Sequence, residues 1–193
     1  MFSAIFRKRK RSSPKKNTAL RACLETLERR DLLTSLLWSA GPDLPAPQTD
    51  AAALVAPDNA VYLLGGDSAA PKVVNRLTAT ATGWEATHKL DTQRNDLGAV
   101  QAGGAIYVFG GTKNTEGGDE VLSYDYRLGD HVDLAKLNLV RYDFGYAADS
   151  SGRAYAIGGI GIRADEEIWS DAERYNPADD AWSPIAPLPQ AVH

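Results

Sequence analysis

Apolar residues in this chain come in short bursts, each cut off by glycines or polar turn residues. Three bursts close on paired glycines: Val61-Tyr62-Leu63-Leu64-Gly65-Gly66, Ile106-Tyr107-Val108-Phe109-Gly110-Gly111 and Ala154-Tyr155-Ala156-Ile157-Gly158-Gly159. The diglycines are 45 and 48 residues apart. A second landmark runs out of phase with the first. Trp38, Trp84, His131 and Trp182 each precede a leucine by six residues (Leu44, Leu90, Leu137, Leu188), at spacings of 46, 47 and 51. A third is Tyr124-Asp125 and Tyr175-Asn176, each tyrosine seven residues ahead of the tryptophan-type position, with Leu77 in that slot of the first repeat. Bursts this short, rich in β-branched and aromatic residues and bounded by turn signals, predict strands. Asp58-Asn59, Gly103-Gly104 and Ser151-Gly152 mark tight turns between them.

The expected strands fall at 51–56, 60–65, 72–78 and 83–88, then 96–102, 105–110, 120–126 and 131–134, then 144–149, 153–158, 171–176 and 181–185. Little alternation in the second strand of each group predicts burial on both faces. A sandwich of short strands would account for the composition but not for two landmarks sharing one period. No apolar run approaches the roughly 18 residues of a membrane-spanning helix.

Paired glycines, the Tyr-Asp or Tyr-Asn step and the Trp-to-Leu spacing together resemble the kelch repeat, a four-stranded propeller blade of about 50 residues. His131 replaces a tryptophan of that pattern and Leu77 a tyrosine. The resemblance implies an all-β, partial kelch-type β-propeller over residues 38–193. Repeats run near 38–83, 84–130 and 131–181, with a fourth beginning at 182. Three four-stranded blades follow one extra N-terminal strand, which with its exit loop spans Trp38–Leu44. Such a start demands a closing blade, yet the sequence stops at His193 after a fourth strand. The expectation is a fragment of a larger propeller, or a chain that needs missing blades or another chain to close the ring.

Charge separates a leader from this body. Residues 1–37 carry ten Lys or Arg against three acids, a balance of +7, and the rest of the chain carries −11. Asn17 or Thr18 can cap a helix that places Leu20, Leu24 and Leu27 on one face. The tract Arg7-Lys8-Arg9-Lys10-Arg11 admits three readings: a nuclear-localisation or nucleic-acid patch, a solvated tail, or the basic part of an export signal. Leu24-Glu25-Thr26-Leu27-Glu28-Arg29-Arg30-Asp31-Leu32-Leu33-Thr34 resembles the planctomycete-type extracellular N-terminal motif at every fixed position. That resemblance implies an extracellular or cell-surface address, with a cytoplasmic one as the alternative. The acidic body disfavours nucleic acid as a partner.

Candidate chemistry sits in loops. Arg94-Asn95 and Arg141-Tyr142 occupy the connections between blades, with Gln48 and Val192 in the equivalent arginine slots. Asn114 and Arg163 lie in the longer loops between second and third strands. The kelch resemblance implies that Arg94 and Arg141 face the channel mouth, where two guanidiniums could clamp a carboxylate. The alternative is that they pair with Asp96 and Asp143, or with neighbouring blades, and only fix the loops. His131 reads as a packing substitution. The loop acids Glu116, Asp119, Glu120, Asp165, Glu166 and Glu167 lack calcium-loop spacing and read as a solvated rim.

No nucleophile, phosphate-loop or paired-carboxylate motif is present, and no cofactor or metal is expected. A copper-radical oxidase of the galactose-oxidase type needs a tyrosine–cysteine crosslink, whereas the sole cysteine, Cys23, is in the leader. The resulting expectation is an exported scaffold that binds a protein or glycan through its loop rim. The alternatives are a carbohydrate-active kelch enzyme such as a sialic-acid epimerase, and an intracellular kelch adaptor.

Overall fold

The computed structural model describes residues 39–67, 72–113, 116–161 and 167–193. The expected leader helix, the export motif, Trp38, Asn114 and Arg163 lie outside the described residues. The chain divides into two units, Met1–Ala40 and Gly41–His193, and the blades belong to the second. Every regular element among the described residues is a strand, and no helix there is long and apolar enough to cross a membrane.

The first blade contains β1 (Ala52–Val55), β2 (Val61–Leu64), β3 (Val73–Leu77) and β4 (Glu85–Lys89). The second contains β5 (Gly98–Ala102), β6 (Ala105–Phe109), β9 (Val121–Asp125) and β10 (Asp130–Leu134). Between its middle strands runs a short hairpin, β7 (Thr112–Lys113) with β8 (Glu116–Gly117). The third contains β12 (Gly145–Ala148), β13 (Ala154–Ile157), β15 (Ala172–Asn176) and β16 (Ala181–Ile185). It is preceded by β11 (Arg141–Tyr142), which pairs with β14 (Ile160–Gly161). Each blade is a four-stranded antiparallel meander in chain order. All twelve expected strands are present, with ends displaced by no more than two residues. The described residues 39–48, which include most of the segment expected as an extra strand, carry no strand.

The turns follow from their residues. Gly103 and Gly104, at φ 58° and 88°, form the two-residue connection between Ala102 and Ala105. Both central positions of that turn type need positive φ. Asn59 (φ 59°) does the same work in the first blade, where its N–H donates to Ala56 O and the Asp58 carboxylate accepts from the Ala60 N–H. Asparagine tolerates the left-handed region better than most side chains.

Strand β6 shows why the blades stack. Ile106 and Val108 join a core with Tyr62, Leu64 and Val74 of the first blade. Tyr107 and Phe109, pointing the other way, join a second core with Ala154, Ala156, Tyr175 and Trp182 of the third. An unbroken apolar strand is therefore buried on both faces, and each residue it removes from water contributes about 1.5–3 kcal/mol. Strand β5 lies between β1 and β12, so the first strands of the three blades gather on one side.

Candidate functional site

At the end of the blades where the chain enters, three clasps repeat. Thr49 bridges Asp67, Asn95 bridges Thr112, and Tyr142 pairs with Ile160. Each clasp joins a blade's entry segment to the residues just after its own second strand. A further bond reaches the segment that follows the same blade's fourth strand: Gly66 N–H donates to Arg94 O at 2.7 Å, Gly111 N–H to Arg141 O at 2.9 Å, and Gly159 N–H to Val192 O at 2.8 Å.

The diglycines are what this geometry requires. A Cβ on Gly110 would lie 3.0 Å from Arg141 O, and one on Gly111 would lie 2.5 Å from Asn95 O. The first glycine makes room for the next blade's entry and the second for its own. Both also hold positive φ, at 66° and 90°.

One step further in, Asp50, Asp96 and Asp143 share a left-handed backbone at φ 57°, 54° and 49°. Asp96 N–H donates to Asp50 O at 3.0 Å and Asp143 N–H to Asp96 O at 3.3 Å. The three carboxylates are thus mounted on a ladder across consecutive blades. Burial, and then the charges of Asp50 and Asp143, push the Asp96 carboxyl above its ordinary range.

The two arginines lie beside this ladder, but their guanidiniums are committed elsewhere. Arg94 donates to Glu120 O and to the Glu120 carboxylate, each at 2.8 Å, and to Thr92 Oγ1 at 3.1 Å. Arg141 donates to Gly158 O at 2.6 Å, Asp171 O at 2.9 Å and Glu173 Oε1 at 2.8 Å. Their side chains are 4% and 0% exposed. The carboxylate partners are Glu120 and Glu173, not the adjacent Asp96 and Asp143. Gln48, in the equivalent slot of the first blade, donates to Gly65 O as Arg141 does to Gly158 O. These positions close blades. Asn95 and Tyr142 are half-buried in the clasps, and Asn95 Oδ1 is buried with no hydrogen-bond partner.

Glu173 has no motif around it in the sequence, yet it is 1% exposed and accepts from the Asn138 and Leu139 N–H groups as well as from Arg141. His131 stands opposite Tyr124 as Trp182 stands opposite Tyr175, so it takes the tryptophan position of its blade without the tryptophan's burial. It is smaller and polar, lies half-buried, and its Nε2 is 3.8 Å from the Asp91 carboxylate. Asp91, His131 and Asp133 present one donor atom each, all within 4.8 Å of one another. Among the described residues this is the set whose chemistry could hold a metal ion, one imidazole nitrogen with two carboxylate oxygens.

No family model matches the chain. Kelch-like protein 36 of Bos taurus is 30% identical over 122 residues, which is 61% of this chain and 19% of that protein. The protein of the same name in Rattus norvegicus is 30% identical over 115 residues, 57% of this chain and 18% of the relative. The chain thus spans less than a fifth of the length of the curated relatives it matches. The structure of YjhT superposes with a TM-score of 0.65 at 19% identity, covering 78% of this chain and 55% of that one. Wedges of four strands, stacked face to face and clasped at their entry ends by paired glycines, have in this chain the fold of a partial kelch-type β-propeller.

Proposed function

We propose that this chain is an exported propeller scaffold that binds a protein or a glycan through the rim carrying its entry segments and its second-to-third-strand loops. One observation carries the reading. The clasp repeats at the same positions in all three blades, while the loops it supports run to 8, 11 and 14 residues (65–72, 110–120 and 158–171) and differ in charge. A rigid frame that presents divergent loops is how such folds acquire binding specificity. In this reading Asn95, Tyr142, Asn114 and Arg163 belong to the binding rim, and Arg94 and Arg141 hold the frame that positions them.

The match of Leu24–Thr34 to an extracellular N-terminal motif supports export. Half-buried Val61 and Leu63 on one outer face of the stack, and Tyr155 and Ile157 on the other, support further blades or another chain closing the ring. The enzyme alternative would have Arg94 or Arg141 hold a substrate carboxylate; the carboxylates already seated on both weigh against it.

Two measurements test the proposal. Fractionation of cells expressing the full chain should recover it outside the cytoplasm; retention in the cytoplasm would favour the intracellular adaptor. Arrays of glycans and of surface proteins should yield a partner whose binding is lost when 162–166 is replaced by a Gly-Ser linker, which leaves the clasp and Trp169 in place, with the melting temperature kept. Equal binding by that variant would end the loop-rim reading.

A further inference from the structure

The opposite end of the blades, where the first-to-second and third-to-fourth strand turns lie, holds a cleft of about 380 Å³ between the first and second blades. Sites for small molecules run from roughly 300 to 1,000 Å³. Its floor is an edge-to-face pair, Tyr62 and Tyr126, with ring centroids 5.9 Å apart. Each ring carries a guanidinium: Arg76 stands 6.0 Å from the Tyr62 centroid and Arg127 4.9 Å from that of Tyr126.

The two cations differ in freedom. Arg76 is held by Asp58, 3.0 Å from its Nη2, and by exposed Glu85 at 3.5 Å. Asp58 also accepts from the Tyr62 hydroxyl at 3.1 Å. Arg127 is exposed and has no carboxylate partner among the described residues, so its planar fork is uncommitted. His88 completes the wall, its ring lying where a Cβ on Gly129 would otherwise stand.

The repeat contains its own control. At the junction of the second and third blades the equivalent positions hold Gly103 for Asp58, Ser123 for Arg76, Leu134 for His88, Pro177 for Tyr126 and Ala178 for Arg127. Strand register sets the correspondence: Arg76 faces Tyr62 as Ser123 faces Tyr107, and His88 faces Val74 as Leu134 faces Val121. The tyrosine recurs as Tyr107 and Tyr155, and the third blade repeats its partners too: Tyr155 faces Arg174 as Tyr62 faces Arg76, and its hydroxyl donates to Asp149 at 2.8 Å. Groups that the frame needs recur in this way. Tyr126, Arg127 and His88 do not recur among the described residues, and they answer to something other than blade packing.

We propose that this cleft binds a small ligand bearing an oxyanion, carboxylate or phosphate, on a flat ring. The oxyanion takes the Arg127 fork in bidentate fashion, and the ring lies against the tyrosine pair, while Arg76, already paired with Asp58 and Glu85, fixes the Tyr62 side of the cleft. This site is at the other end of the blades from the loop rim and stands independently of it.

The test is calorimetric titration of the full chain with benzoate, phenyl phosphate and neutral benzyl alcohol. Saturable binding of at least one anion is expected, with benzyl alcohol at least tenfold weaker. Arg127→Ala should weaken the anion at least tenfold with an unchanged melting temperature, since its side chain is exposed. Arg153→Ala removes a half-buried arginine of the third blade, 3.9 Å from Asp149, and should leave binding unaltered. The stronger of the two anions identifies the oxyanion the cleft prefers. Absence of saturable binding, equal binding by Arg127→Ala, or an equal loss in Arg153→Ala would overturn the assignment.

Discussion

Arg141 and Glu173 form a fully buried ion pair, with Nη2 2.8 Å from Oε1 and side chains 0% and 2% exposed. The carboxylate also accepts from the backbone of Asn138 and Leu139 and from Asn138 Nδ2, at 2.9, 3.1 and 2.7 Å. The guanidinium meanwhile donates to Gly158 O and Asp171 O. One pair therefore joins the exit of the second blade, the entry of the third, its diglycine and its third strand. Burying two charges costs on the order of several kcal/mol per ion, and the many hydrogen bonds offset that cost.

Removing one partner should expose that cost. Glu173→Ala leaves a buried guanidinium uncompensated and is expected to lose about 3–5 kcal/mol of stability. Arg94→Ala, whose partner Glu120 is 43% exposed, should lose about 1–3 kcal/mol. Urea unfolding of both variants checks the order, and a larger loss from Arg94→Ala would contradict the buried-pair account.

The diglycine argument separates backbone strain from steric contact. Gly103→Ala meets nothing within 4 Å and bears only its positive φ of 58°, a cost of about 1–2 kcal/mol. Gly111→Ala bears φ 90° and a Cβ 2.5 Å from Asn95 O. Its melting temperature should fall by at least twice as much as that of Gly103→Ala. Equal falls would mean that the clasp gives way freely.

The aspartate ladder makes a pH prediction. Burial, then Asp50 and Asp143, raise the Asp96 carboxyl above the 3.8 of an ordinary aspartate. The fold therefore prefers its protonated form, and stability is lost as pH rises through that elevated value. Asp96→Asn removes the charge and keeps a side chain suited to φ 54°. It should raise the urea midpoint at pH 7, with the gain shrinking toward pH 3. A variant that is less stable at pH 7 would refute the repulsion.

The propeller was legible in the sequence because its signals are local and repeated. A burst such as Ile106–Phe109 announces a strand buried on both faces, and Gly110-Gly111 announces the turn that ends it. Three copies in one period leave little else for the strands to build. The arginines were visible as repeat positions too, and a loop-fixing role was one of their two readings, but their partners were not visible. Asp96 and Asp143, two residues along, were the natural partners by proximity in the chain; in the fold they occupy left-handed turns, with their backbones bonded from blade to blade.

The sequence by itself determined the blades, their strands and the diglycine hinges, since each depends on the residues of one strand and its turn. Tertiary structure alone decided that Arg94 meets Glu120 across 26 positions and Arg141 meets Glu173 across 32. It also decided that His131 faces Asp91, and that Arg76 and Arg127 share a cleft. Those pairings are set by how one wedge stacks on the next, a distance through space that no spacing along the chain records.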